Sequence, residues 1–386
     1  MFKNRIGLMI LLLCAVHGCS DGSDSATAGP LSYDEQGPFP VGNRTISVLN
    51  ASEGRMLTVE LWYPAAQKGP AQRLLDFAAS DGERDALQGL LDSAPAQCTR
   101  RDTVSSAAPE PAASPGKLPL VIFSHCFECT RYSSFSLAER LASHGIAVAA
   151  PDHAMNTLFD AGAMINVAFL ATRASDVIAV LDELLISNSP ALPESLQGRF
   201  DADRIGVAGH SYGAVTAGKV LQDDARFKAG LIMAAPVESP VLPGVAVANI
   251  EQPMLMMVAR EDNSIGELGN AVLRANFAAA PGPAWKVEIA DAGHWSFSDI
   301  AGIVPEFGAG CGDGERQTVP GEAFTYLDNQ LARDITAAYG VRFFASQLLG
   351  DEAAQRRSGC PRCRWWRLRR IKAGPAWRCP GAGRWL

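Results

Sequence analysis

The chain has 386 residues, with 34 Lys or Arg against 41 Asp or Glu, a net charge of −7, and 47% hydrophobic residues. That length accommodates one large α/β domain with accessories, and the apolar share can fill a sizeable core. The acidic balance speaks against a basic, nucleic-acid-binding body, and no nucleic acid is expected as a partner.

The first residues carry an export signature. Lys3 and Arg5 precede an apolar run of eleven, Ile6–Val16, and Val16-His-Gly-Cys19 has the form of a lipobox despite the unusual His17. The run is too short to span a bilayer as a helix, so residues 1–18 are expected to be a cleaved signal peptide. Cys19 then becomes the lipidated first residue, tethered by the small, polar segment 19–36. A chance cysteine beside an ordinary signal is the alternative. Export to the periplasm, the outer membrane or the medium is expected, with membrane contact through the lipid anchor.

Beyond the tether, residues 44–50 and 56–63 read as an antiparallel start to a sheet. Residues 70–92 read as a helix, within a variable insertion spanning 67–116, whose Pro-, Ala- and Ser-rich end (94–116) reads as a mobile surface segment. Strands are expected at 118–124, 146–150, 204–208, 228–235, 253–259 and 285–289. Helices are expected at 133–144, 166–187, 212–222, 265–278 and 324–349. Strand–helix alternation of this kind predicts an α/β domain over 37–350, a mostly parallel sheet with helices on both faces.

The chemistry centres on Gly209-His-Ser211-Tyr-Gly213, which follows a β-branched strand and opens a helix. This is the form of a nucleophile elbow, a strand-to-helix turn that lifts a serine hydroxyl above the sheet. A serine needs a base, and the base needs an acid, in the chain order Ser, Asp or Glu, His. Of six histidines only His294 lies well downstream, in the loop after strand 285–289. The acid should follow strand 253–259, where Glu261 and Asp262 compete; the Asn-Ser turn that follows favours Asp262. Backbone N–H groups of Tyr212 and of Phe127, in the loop after strand 118–124, are the candidate oxyanion donors. His153 and Asn156, at a strand's carboxyl end, are candidate substrate contacts, as is Trp295 beside the base. Their alternatives are loop structure and core packing.

Gly37-Pro-Phe-Pro-Val-Gly-Asn-Arg44, Val59-Glu-Leu-Trp-Tyr-Pro-Ala65, Phe123-Ser-His125, Ala150-Pro-Asp-His153, the elbow and Ala292-Gly-His-Trp-Ser-Phe297 together resemble platelet-activating factor acetylhydrolase-type α/β-hydrolases. Bacterial proteins labelled predicted dienelactone hydrolases are among these. The resemblance covers about residues 37–350. It implies the α/β-hydrolase fold and ester hydrolysis by a Ser211–Asp262–His294 triad, on short-chain or phospholipid-type acyl esters. True dienelactone hydrolases use a cysteine nucleophile, so that label does not suit this chain. The family often carries glycines after Ser-His, whereas this chain has Cys126, Glu128 and Cys129.

Four cysteines remain in the body, Cys98, Cys126, Cys129 and Cys311, an even number that three pairings can satisfy. A bond involving Cys126 or Cys129 would stiffen the oxyanion loop. The tail, 351–386, departs from the rest: from Arg356 onward it holds ten Lys or Arg and no acid, with four tryptophans and three cysteines. Without those ten the rest has 24 basic against 41 acidic residues, a net of −17. The tail reads as a disordered or out-of-frame extension and is assigned no function. The resulting expectation is a monomeric serine carboxylesterase with no metal and no cofactor. A lipase or polyester hydrolase with the same triad, and an inactive ligand-binding lipoprotein, are the alternatives.

Overall fold

A computed structural model describes residues 32–98, 102–113, 116–160, 162, 164–352 and 354. The signal segment, Cys19, most of the tether and most of the tail lie outside the described residues. Among the described residues no helix is long and apolar enough to cross a membrane.

The sheet begins with β1 (Val41–Asn50) and β2 (Arg55–Pro64), a hairpin paired antiparallel over its whole length. A short β3 (Ser105–Ala107) runs parallel to the start of β1. Then follow β4 (Leu118–Ser124), β5 (Ala147–Pro151), β6 (Phe200–His210), β7 (Phe227–Met233), β8 (Met254–Ala259) and β9 (Ala284–Ile289). The spatial order is β3-β1-β2-β5-β4-β6-β7-β8-β9, antiparallel at β1/β2 and β2/β5 and parallel from β5 to β9. This is the mostly parallel sheet expected from the alternation.

Strand periodicity divides the core in two. Along β4, Leu120 and Ile122 face one side and Val121 and Phe123 the other. Leu170, Val177, Leu181 and Leu184 of α3 (Val167–Leu185) cover the first side, with Ala214, Ala217 and Val220 of α4 (Tyr212–Asp223) and Leu273 of α5 (Gly266–Ala279). Leu137 and Leu141 of α2 (Phe135–Ser143) and Phe343 and Phe344 of α6 (Asn329–Leu348) cover the second. With helices on both faces, the inner strands β4, β5 and β8 are buried throughout, which explains continuous apolar runs such as Met254–Ala259 rather than alternation.

Three expectations are corrected. Residues 70–92 are not one helix but a 3-10 turn, Leu74–Phe77, and α1 (Asp81–Ser93). The break follows from Ser80, whose hydroxyl caps α1 through the Glu83 N–H (3.1 Å), and from Phe77, which turns inward against Trp62, Tyr132 and Phe135. The segment 94–116 is tied down in part: Ser105 donates its N–H (3.0 Å) and hydroxyl (2.7 Å) to the buried Glu139 carboxylate, fixing β3 at the sheet edge. The last helix starts at Asn329, capped by Asp328, not at 324, because Ala323–Thr325 pairs with Asp313–Glu315 as a small hairpin.

The cysteines pair as Cys98–Cys311 and Cys126–Cys129. The first closes a loop of 213 residues, and loop-closure entropy alone would assign it about 5 kcal/mol, an upper bound. The double substitution Cys98→Ser with Cys311→Ser is expected to lower unfolding free energy by ~2–5 kcal/mol, read as a fall in the urea midpoint.

Candidate active site

Strand β6 ends at His210, and Ser211 adopts φ 56°, ψ −121° before α4 begins at Tyr212. A non-glycine residue there stores on the order of 1–3 kcal/mol of backbone strain, held by the surrounding packing. Part of the restraint is the Ser211 N–H, which donates to the Met233 carbonyl at 2.8 Å. The flanking glycines are dictated by contact. A Cβ at Gly209 would meet the Gly213 carbonyl at 2.0 Å, and one at Gly213 would meet the Ser124 carbonyl at 1.9 Å. The turn therefore brings Ser211 and the end of β4 together.

Loops after β8 and β9 bring in the other two groups. His294 Nε2 lies 2.8 Å from Ser211 Oγ, and its Nδ1 lies 2.8 Å from Asp262 Oδ2. Asp262 is fully buried and itself held, its Oδ1 accepting the Ser264 and Ile265 N–H groups at 3.0 Å each. Glu261 turns away: its carboxylate takes Arg316 (3.1 Å) and the Thr318 hydroxyl (2.7 Å). The structure thus seats Asp262, not Glu261, beside the imidazole.

Behind His294 the wall is aromatic. Trp295 is buried, stacked on Phe307 with ring centroids 3.7 Å apart and edge-on to His294. The suggested role of Trp295 as a substrate contact is therefore corrected: it packs the base from behind. His210 donates Nε2–H to the His294 carbonyl at 2.8 Å, tying the elbow to the base's own loop. Burial, with the neighbouring His294 as a lesser cause, holds the His210 imidazole well below its usual pKa. In the unfolded chain this ring takes up a proton below about pH 6.5, and in the folded chain it does not, so stability is lost as pH falls through that value. His210→Gln, which keeps an N–H donor, is expected to flatten the acid limb of stability below about pH 6.5. Urea titrations of both proteins across that range measure it; equal slopes would contradict it.

The two candidate oxyanion donors are available. Among the described residues, neither the Phe127 nor the Tyr212 backbone N–H donates to another protein group. Phe127 lies inside the small ring closed by Cys126–Cys129, which adds the Cys129 N–H to Cys126 carbonyl bond at 3.4 Å. The disulfide and Glu128, at φ 52°, together shape this loop. Among the described residues no group of three or more His, Cys, Asp or Glu is arranged to hold a metal ion.

The sequence profile of platelet-activating factor acetylhydrolase, isoform II, matches residues 31–166 and 180–308. The chain belongs to this acetylhydrolase family. Among solved structures it is similar to a ferulic acid esterase from Streptomyces cinnamoneus, at 25% identity and a TM-score of 0.58, over 81% of this chain and 91% of that one. No curated protein matches it. Both findings place the acetylhydrolase-family chain among α/β-hydrolases that cleave esters.

His153 and Asn156 are not where a substrate contact would be. Both are fully buried, because they belong to a polar network beneath the loop after β4. His153 Nδ1 binds Asp176 (2.8 Å) and its Nε2 binds the Ser124 hydroxyl (2.9 Å), while its backbone N–H donates to His125 Nε2 (3.0 Å). Ser124–His153–Asp176 repeats the distances of the Ser211 row, yet with all three side chains buried no ester can reach it. Asn156 Oδ1 binds the Arg173 guanidinium at 2.5 Å. Arg173 went unnoticed in the sequence of this acetylhydrolase-family chain, although a signal was there. Leu170, Val177, Leu181 and Leu184 mark the buried stripe of α3, and a charged residue sits in that stripe at position 173. Asp299 caps α2 across space: its Oδ2 accepts the Ser136 N–H (2.8 Å) and hydroxyl (2.9 Å).

Proposed function

We propose that this protein is a serine carboxylic-ester hydrolase that works through an acyl-enzyme. The observation that carries the reading is the continuous row Ser211 Oγ, His294 and Asp262, with 2.8 Å at each junction. His294 takes the Ser211 proton as Oγ attacks the ester carbonyl, and Asp262 holds the Nδ1–H tautomer and the developing imidazolium charge. The tetrahedral oxyanion is held by the Phe127 and Tyr212 N–H groups. His294 then protonates the leaving alcohol, and water, activated by the same imidazole, releases the acid.

Family membership supports short-chain or phospholipid-type acyl esters as the substrate class. An apolar rim supports it as well. Tyr212 donates its hydroxyl to the Asn166 carbonyl (2.9 Å), and Met164, Ile165 and Val167 around that carbonyl are exposed at 56%, 54% and 47%. The test is an ester chain-length series with a fluorophosphonate label. Labelling confined to Ser211 with fastest turnover of two- to four-carbon acyl esters is the expected result. Fastest turnover of long-chain triglyceride or insoluble polyester would favour the lipase or polyester hydrolase, and feruloyl esters form a further arm because of the neighbour's named substrate. A folded, oxidised protein that neither reacts with the label nor cleaves any ester would instead fit a ligand-binding lipoprotein.

We further propose export, with anchoring through Cys19. The basic n-region, the apolar run and the lipobox support it, and two disulfides suit an oxidising compartment. Loss of fatty-acid incorporation in Cys19→Ala, read by metabolic labelling against a labelled wild type, is the expected outcome.

A further inference from the structure

The oxyanion hole joins two pieces of chain remote in sequence, the loop after β4, which carries the Phe127 N–H, and the start of α4, which carries the Tyr212 N–H. Donors of this kind work only when they are fixed relative to each other before the charge develops. One side chain reaches both pieces. Arg173, from the middle of α3, donates to the His125 carbonyl, two residues before Phe127, and to Ser124 Oγ at 3.2 Å. The Nε–H of the same guanidinium donates to Thr216 Oγ1 at 3.2 Å, and Thr216 in turn donates to the Tyr212 carbonyl at 3.0 Å. Its plane lies over the Tyr212 ring, 4.6 Å from the centroid.

The chemistry of that contact set is unusual for packing alone. Arg173 is fully buried, and every acceptor on it is a neutral oxygen. The acid one turn along the helix, Asp176, is committed to Arg55 (2.6 Å) and His153 (2.8 Å). Burying a cation without a paired carboxylate is expensive, and an apolar side chain would fill α3's stripe at less cost. What the guanidinium alone supplies is a rigid planar fork that binds several acceptors in fixed directions. We propose that Arg173 is a positioning residue that locks the Phe127 and Tyr212 donors into one oxyanion hole. This rests on the esterase reading above.

The test uses the full-length oxidised enzyme with a chromogenic short-chain ester and a short alkyl trifluoromethyl ketone. The ketone's adduct with Ser211 places an oxyanion in the hole. Wild-type turnover and labelling at Ser211 are measured first; their absence ends the esterase reading, and this proposal with it. Arg173→Met is expected to lower kcat roughly 100-fold, the scale of losing one oxyanion donor, with KM nearly unchanged. The ketone's Ki should rise by the same factor as kcat/KM falls. Arg173→Lys, which keeps the charge but not the fork, should fall between wild type and Arg173→Met on both measures. Should Arg173→Met fail to fold, Thr216→Val takes its place: it removes one anchor on α4 and should shift kcat/KM and Ki together by roughly 3- to 10-fold. Folded variants whose ketone Ki stays at the wild-type value, whether or not turnover falls, overturn the proposal.

Discussion

Ser211→Ala is expected to lower kcat for a chromogenic short-chain ester by on the order of 10⁶-fold, leaving only the rate that binding and the oxyanion donors sustain without a nucleophile. The size follows from what the substitution leaves. His294 stays hydrogen-bonded to Asp262 and the Phe127 and Tyr212 N–H groups stay in place, but no atom remains at 2.8 Å from Nε2 to attack the carbonyl. The fold should be little affected, since the Ser211 side chain does not cap α4 and its backbone N–H bond to Met233 survives the change. A Tm close to wild type with no fluorophosphonate incorporation is the expected pair of results. Turnover within tenfold of wild type would show that another group is the nucleophile.

Asp262→Asn is expected to cost about 10⁴-fold in kcat, and the hydrogen bonds around the site say why. Oδ1 accepts two backbone N–H groups, from Ser264 and Ile265, so the asparagine amide must keep its oxygen there. Its NH₂ then occupies the Oδ2 position, 2.8 Å from His294 Nδ1. A donor facing Nδ1 forces the proton onto Nε2, and Nε2 can no longer accept the serine proton. Glu261→Gln is the paired control. It disturbs the Arg316 and Thr318 contacts and should lower the urea midpoint, while kcat stays within a fewfold of wild type because no Glu261 atom bonds to His294. If instead the glutamine variant lost activity and the asparagine variant kept it, the assignment of the acid would be reversed.

Much of this site was legible from residues alone, for identifiable reasons. Gly209 and Gly213 flank the serine because no Cβ fits there, so the elbow leaves a mark in the sequence. His294 was legible because few histidines exist and one lies after the last strand of the main sheet. Asp262 against Glu261 was harder, since adjacent residues leaving a strand differ only in the direction that the turn gives them. His153, Asn156 and Trp295 show where such reading stops. Each sits at the right end of a strand or beside the base, yet burial turns all three into supports. Arg173 shows the converse: it lies about forty residues upstream of the elbow, and only the packing of α3 on α4 brings it under the oxyanion loop.

Local pattern by itself determined the α/β alternation, the elbow and which serine and histidine to pair as candidates, because steric exclusion and strand–helix periodicity act between residues near in sequence. The tertiary structure alone decided the disulfide pairing, the choice of acid, and the conversion of polar loop residues into a buried network. Those depend on which side chains lose contact with water and which partners then remain within hydrogen-bonding reach, and both are set by contacts between segments far apart along the chain.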